Sequence, residues 1–495
     1  MPINYIPNDP RAGATAPAMR VQAARANRPA TRSGFTFTNA SAQGIFAPGT
    51  PQFLFWQCRE AAIAAVQAWE ASAGTHTKWQ GNRKKLPLHQ DEGLDLNAFY
   101  DRVTFSFFHD TLGGTTFFSG ASTDVVAHEV GHGLLDSVRP DFFTVNFLEV
   151  GALHEAFGDC IAILTALADR ESRVSLLAAA PNLRKKNFLE STAEDLSEGI
   201  RRFDPTHNAA EPRHAFNTFQ FQIPSTLPSN GGPGQLINEV HSFGMLFSGC
   251  FWDLIANIFA AGASQTEAAL AAAAALAGKI LIAGVKAALI TPRFLQSVGR
   301  AMVLADQSLH AGANRDHIRD AFQAHNILLG ANTMIAPSMA LAGAAPKGKA
   351  LAPATRKDLM TRLGSSRGAK MTMAGADVFG TKMCNVVHTR EVSLASIGKD
   401  LKGVVCLAHE PVMIGGSGGR AAVMGAMPHA ADTDSEVLEF VKSLMEHGRV
   451  DLGKKKQAAT RMVATGRTGT ATHAIKSVGG RSVLSRVCFQ CGGCH

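Results

Sequence analysis

The stretch Asp124-Val-Val-Ala-His-Glu-Val-Gly-His-Gly-Leu-Leu-Asp136 (DVVAHEVGHGLLD) decides how the chain is read. It holds two histidines four residues apart, with a glutamate directly after the first. On a helix, residues i and i+4 share a face, so His128 and His132 point the same way and are placed to grip one metal ion. Glu129 then stands beside such a site, where it can take a proton from a metal-bound water. Val125, Val126, Val130, Leu134 and Leu135 supply the helix's apolar side. With 18 histidines in the chain, chance alone gives the five-residue pattern in roughly two chains per hundred of such composition. The motif therefore needs a third ligand before it carries weight.

A second helical stretch, Gly151-Ala-Leu-His-Glu-Ala-Phe-Gly-Asp159, offers one. Glu155 and Asp159 lie one turn apart on one face. Glu155 can bind the metal while Asp159 accepts the N–H of a ligand histidine. The alternative, that both are merely acids favoured near a helix N-terminus, is weakened by the pairing of the two stretches.

Together, DVVAHEVGHGLLD and GALHEAFGD resemble the two zinc-binding helices of the thermolysin family of gluzincin metallopeptidases. Further landmarks follow in family order. Asn97-Ala-Phe-Tyr100 resembles the edge strand that binds substrate backbone, and Arg201 or Arg202, in GIRRFDP, the arginine that holds a substrate carbonyl. Val240-His241 resembles the histidine that stabilises the transition state. HIRDAFQAHNIL resembles the helix that closes the peptidase domain. The resemblance runs from about residue 35 to 330. It implies zinc on His128, His132 and Glu155, with Asp159 orienting His128. Glu129 would be the general base and His241 the oxyanion donor, with Asn97 and Ala98 holding the peptide as an added strand. The implied activity is that of an endopeptidase. The implied fold is α+β: a strand-containing lobe, a mainly helical C-terminal lobe and a cleft between them, with a small C-terminal extension added.

Departures from the family pattern are visible. The family's tyrosine ahead of the second zinc helix is missing, since the chain has only Tyr5 and Tyr100, and His154 stands where an asparagine is common. A pseudopeptidase that binds zinc without cleaving is therefore a rival reading. Asp124 matches a calcium ligand of the family but is equally an acid of its own helix N-terminus. Ala166 stands where a further calcium-binding glutamate falls, which speaks against the double calcium site.

The rest of the chain sets limits. At 495 residues and 46% hydrophobic composition it can bury a large core. Residues 1–34, rich in Ala, Arg and Pro, read as a flexible segment with no secretory h-region, so the expected compartment is the cytoplasm, with leaderless export left open. The Ala-rich run from Ala268 to Gly278 is interrupted by Lys279 and Lys286 and reads as a buried helix, so no membrane span is expected. Residues 331–376 read as a linker, 377–452 as a small α/β unit and 453–495 as a flexible basic tail. The net charge of +8 gathers from Ala336 onward. A basic C-terminal third that binds partners or nucleic acid is thus a second rival, although no aromatic residues are interleaved for base stacking. The expected partner is a peptide or protein substrate; oligomeric state is not legible. The end CFQCGGCH places Cys488, Cys491, Cys494 and His495 at ligand spacing, a candidate second metal site beside the alternatives of exposed thiols or a flexible end.

Overall fold

The computed structural model describes residues 1–203, 213–232, 234–288, 290–330, 357, 372–378, 381–417, 420–423, 430–453 and 471–491. It contains both helices and sheets, as an α+β chain should. The first long helix, α1 (Pro51–Ala73), is delimited by its own sequence. The Thr50 side chain accepts from Phe53 N, Pro51 sits in the first turn where no N–H is needed, and Gly74 ends the helix at φ 78°.

Strands precede and follow α1. Strand β1 (Pro2–Tyr5) pairs antiparallel with β2 (Arg20–Ala23). Next come β3 (Gly34–Phe37), β4 (Lys85–His89), β5 (Ala98–Tyr100) and β6 (Phe105–Phe107), then a hairpin of β7 (His109–Leu112) and β8 (Thr115–Phe118). The register pairs β3 and β4 in parallel, β4 and β6 in parallel, and β5 antiparallel to β6. The expectation that residues 1–34 are flexible is therefore corrected. Ile3 and Tyr5 are buried, Gln57 exchanges two 2.9 Å hydrogen bonds with the Ile6 backbone, and Arg20 makes a two-point ion pair with Asp169.

The helical part follows: α2 (Thr123–Val138), α3 (Leu148–Ala168), α4 (Arg170–Ala179), α5 (Glu194–Phe203), α6 (Val240–Ala261), α7 (Glu267–Ala287), α8 (Phe294–His310) and α9 (Arg315–Gln323). Helices α2 and α3 approach closely because both carry glycine at the contact. A Cβ on Gly131 would fall 2.9 Å from Gly158 Cα, and one on Gly158 would fall 2.5 Å from His128 Nδ1. Helices α3, α6 and α7 are each long and apolar enough to cross a membrane by length and composition. In this fold much of that apolar surface is covered by neighbours, completely so for the most apolar stretch of α3.

Beyond residue 330 the described chain forms a second sheet. Strands β9 (Thr372–Val378), β10 (Thr381–Ser393) and β11 (Val404–Ser417) are antiparallel neighbours, and β12 (Arg420–Val423) pairs with β11. Helix α10 (Ala430–Glu446) leads into β13 (Val450–Asp451). Strands β14 (His473–Val478) and β15 (Arg481–Arg486) complete the sheet, with β15 beside β11. The expected linker thus gives way to strand at Thr372, and the small unit runs on to Arg486. Val404, Cys406, Val437 and Phe440 join the apolar cluster that contains the helices' core.

The last strand, β16 (Phe489–Gln490), leaves that sheet. It pairs antiparallel with β5, as Phe489 with Tyr100 and Gln490 with Phe99. It is the fifth strand of the first sheet and lies on that sheet's β5 edge. The expectation of a flexible tail over 453–495 is corrected for residues 471–491; residues 454–470 and 492–495 lie outside the described part.

Candidate metal centre

Helix α2 starts at Ser122, whose Oγ accepts from Val125 N. Its i, i+4 spacing brings His128 and His132 to one face, and the glycine contact sets that face against α3. The ligand atoms of His128, His132 and Glu155 all lie within 4.8 Å of one another. His128 Nε2 is 3.2 Å and His132 Nε2 3.6 Å from Glu155 Oε2. His128, Glu129 and His132 are 0% exposed and Glu155 1%.

The other ring nitrogens fix the tautomers. His128 Nδ1 donates to Asp159 Oδ1 at 2.9 Å and Nε2 donates to Glu155 Oε2 at 3.2 Å; a metal ion would displace the Nε2 proton and take that lone pair. His132 Nδ1 meets His154 Nδ1 at 2.9 Å. If His132 donates there, its Nε2 presents a lone pair to the same space, and that atom has no hydrogen-bond partner among the described residues. A buried set of two imidazoles and one carboxylate, with an unpartnered nitrogen aimed inward, fits a zinc ion. Zinc held there would supply Lewis-acid polarisation of a carbonyl and acidify a water.

The electrostatics follow from burial and pairing. Burial opposes charging of His128, but the Asp159 and Glu155 carboxylates against its two nitrogens prevail and raise its pKa to about 9. For Glu155 burial acts upward, yet His241, His132 and His128 together hold it well below the usual carboxylate range. Burial lowers His132 to about 4. Burial also pushes Glu129 up to about 8, and neither of its carboxylate oxygens has a hydrogen-bond partner among the described residues.

His241 enters from the first turn of α6. Glu239 caps that helix, its carboxylate accepting from His241 N and Ser242 N, and its second oxygen lies 2.7 Å from His241 Nδ1. This aims His241 Nε2 at the site, 3.2 Å from Glu155 Oε2 and 2.9 Å from the Gln490 carbonyl oxygen, to which it donates. Asn97 and Ala98 lie on the β5 edge beside the same segment. Asn97 Nδ2 donates to Gln490 Oε1 at 3.0 Å, and Cys491 N donates to Ala98 O at 2.8 Å.

Two expectations about site residues do not match this arrangement. Arg201 and Arg202 stand at the end of α5, where both pair with Glu198, and Arg202 also bonds Leu112 O and Thr115 Oγ1. The arginine at the site is Arg213. It is 2% exposed, its Nε lies 3.0 Å from Asp159 Oδ1, and its two terminal nitrogens are each 3.2 Å from Cys491 Sγ. The four ligand candidates of the C-terminus do not form a second centre among the described residues. Cys491 sits within 4.8 Å of His128 and Glu129, Cys488 Sγ lies against Ala471 O, and Cys494 and His495 fall outside the described part.

Besides Arg213, sequence reasoning missed Glu239 and the part played by His154. An acid two residues before a histidine at a helix start was the available signal for Glu239. A second buried group, Asp9, Asp124 and Glu194, brings three carboxylate oxygens within 4.8 Å. Burial raises all three, Asp124 to about 6 and Glu194 to about 8, and the Asp124 charge adds to the rise of Asp9, which stands well above its ordinary value, and of Glu194.

Two histidines one turn apart on one helix, with a glutamate from the next, are the donor set that the gluzincin resemblance implies. Residues 117–332 match the family model described as fungalysin metallopeptidase (M36). Fungalysin is a thermolysin-like gluzincin family, so the segment that carries the site is similar in sequence to a thermolysin-like metallopeptidase family. No curated protein matches the chain.

Proposed function

We propose that the chain is a zinc-dependent endopeptidase with a thermolysin-like cleft between the strand-containing part and the helices. The observation that carries this reading is the convergence of His128, His132 and Glu155 beside Glu129, whose two buried oxygens have no hydrogen-bond partner among the described residues. His128, His132 and Glu155 would hold the ion, with Asp159 and His154 fixing the two rings. Glu129 takes the proton of the attacking water and returns it to the leaving amine. His241, oriented by Glu239, donates to the oxygen on which charge develops, in the manner of its bond to the Gln490 carbonyl. Asn97 and Ala98 pair with an extended substrate backbone. Arg213, held by Asp159, takes the carbonyl-binding role first given to Arg201 or Arg202. Burial of α3 inside the protein supports reading its apolar character as core rather than membrane span.

The test is metal content together with peptide cleavage, for the zinc-loaded parent and for Glu129→Gln. The variant should bind zinc as the parent does and lose activity by about a hundredfold or more. Zinc bound at one equivalent with equal cleavage in both proteins would remove Glu129 from the mechanism. Absence of zinc binding in the parent would remove the site.

A further inference from the structure

A catalytic zinc site must keep one position open to substrate, yet the ligands here are 0–1% exposed. The group that covers them is the chain's own end. β16 lies antiparallel on β5, the strand whose Asn97 and Ala98 would receive a peptide backbone. The fit is polar as well as steric: the Gln490 carbonyl takes the His241 Nε2 bond, Cys491 N donates to Ala98 O, and the Gln490 side chain accepts from Asn97. Phe489 anchors the segment. Its ring stacks on His154 at 3.9 Å and on His132 at 4.8 Å, and the Arg486 guanidinium sits 4.2 Å above it. Cys491 ends the described run with its sulfur against Arg213. Of these groups met by the segment, all but Arg486 are given a metal-binding, metal-orienting or substrate-handling role in the peptidase reading.

We propose that Phe489-Gln490-Cys491 is an intramolecular pseudosubstrate that keeps the peptidase latent until it is displaced. This rests on the peptidase reading given above. The β14–β15 hairpin packs beside the helices and delivers the segment to the cleft, so the occupant is always at hand. Even modest intrinsic affinity then suffices, because a tethered segment acts at a high effective concentration. The strand is held as an occupant and not cleaved.

The test compares three zinc-loaded proteins: the full chain, the full chain with Phe489→Ser, and a chain ending at Val487. Cleavage of an unrelated peptide is measured beside alkylation of Cys491 in the first two and hydrogen exchange at Ala98–Tyr100 in all three. The proposal expects slow cleavage and a protected Cys491 in the full chain. It expects cleavage about tenfold faster or more in both altered proteins, faster exchange at β5, and rapid alkylation of Cys491 in Phe489→Ser. A synthetic peptide spanning residues 486–491 should inhibit the shortened chain. Equal cleavage in all three, with Cys491 alkylated as in unfolded chain, overturns the proposal. So does loss of residues 491–495 from the full chain on zinc loading, read by intact mass, since the segment would then be a substrate. Zinc bound and β5 protected in the full chain, but no cleavage by any of the three, overturns the peptidase reading and latency with it, while the seating of β16 stands.

Discussion

Asp159 shows how single side chains divide the work at this site. Its Oδ1 accepts from His128 Nδ1 at 2.9 Å and meets Arg213 Nε at 3.0 Å, so one carboxylate orients a proposed metal ligand and a cation together. Asp159→Asn should keep the fold and weaken zinc affinity about ten- to a hundredfold. Competition with a chromogenic chelator reads this, and unchanged affinity would deny Asp159 its orienting role. Residues of this kind were legible wherever helical periodicity places them. His128, Glu129, His132, Glu155 and Asp159 follow from i, i+4 spacing on two stretches. Arg213 was not, because it lies in a stretch without periodicity, and Arg201 and Arg202 sit in a helical pattern nearer the family's landmark. His154 was visible as a departure from the family, but its contact with His132 depends on how α2 and α3 cross.

At the scale of elements, the crossing of α2 and α3 is the determining contact. Gly158→Ala puts a methyl group where the His128 ring lies. It should destabilise the protein by about 1–3 kcal/mol and lower zinc affinity as well. Urea unfolding and metal titration check the two effects, and a variant with parental values in both would mean that the helices are not held at this distance by the glycines. A second junction joins the chain near Asp9 to the starts of α2 and α5 through Asp9, Asp124 and Glu194. In calcium-free buffer these carboxyls keep protons in the folded chain at pH values where the unfolded chain, with carboxyl pKa values of about 4, has released them. Folding then takes up protons between about pH 4 and the raised values, about 6 for Asp124 and about 8 for Glu194. Stability contributed here is therefore lost as pH rises through that window. Glu194→Gln should flatten the fall of unfolding free energy with pH; an unchanged slope would show that this carboxyl does not titrate with folding. Strand β5 was readable from Asn97-Ala-Phe-Tyr100, the edge strand that the resemblance implies. Strands β1 and β2 were not, since the Ala/Arg/Pro composition hides Ile3 and Tyr5, and the arginines there pair with acids distant in sequence, as Arg20 does with Asp169.

At the scale of the whole molecule, the C-terminal part is where sequence and structure diverge most. Composition made residues 453–495 a basic tail, and nothing local in CFQCGG marks a strand. Strand β16 exists because β5 offers an edge and the cleft offers partners for Phe489 and Gln490. Such pairing links residues nearly four hundred positions apart, beyond any periodic signal. The mix of helices and strands and the meeting of His128, His132 and Glu155 on two neighbouring helices, by contrast, were readable from motifs and the resemblance they carry. The chain thus carries both a segment similar to the fungalysin metallopeptidase family and, at its far end, a strand that pairs with β5 beside the candidate metal centre.

The central claim is that Glu129 serves a zinc held by His128, His132 and Glu155. The most direct measurement is peptide cleavage by the chain ending at Val487, with and without Glu129→Gln, at matched bound zinc. Using the shortened chain keeps the covering strand from masking the chemistry. The expected result is robust cleavage by the shortened parent and a loss of about a hundredfold or more in the variant. Equal rates in the two, each with one zinc bound, would contradict it.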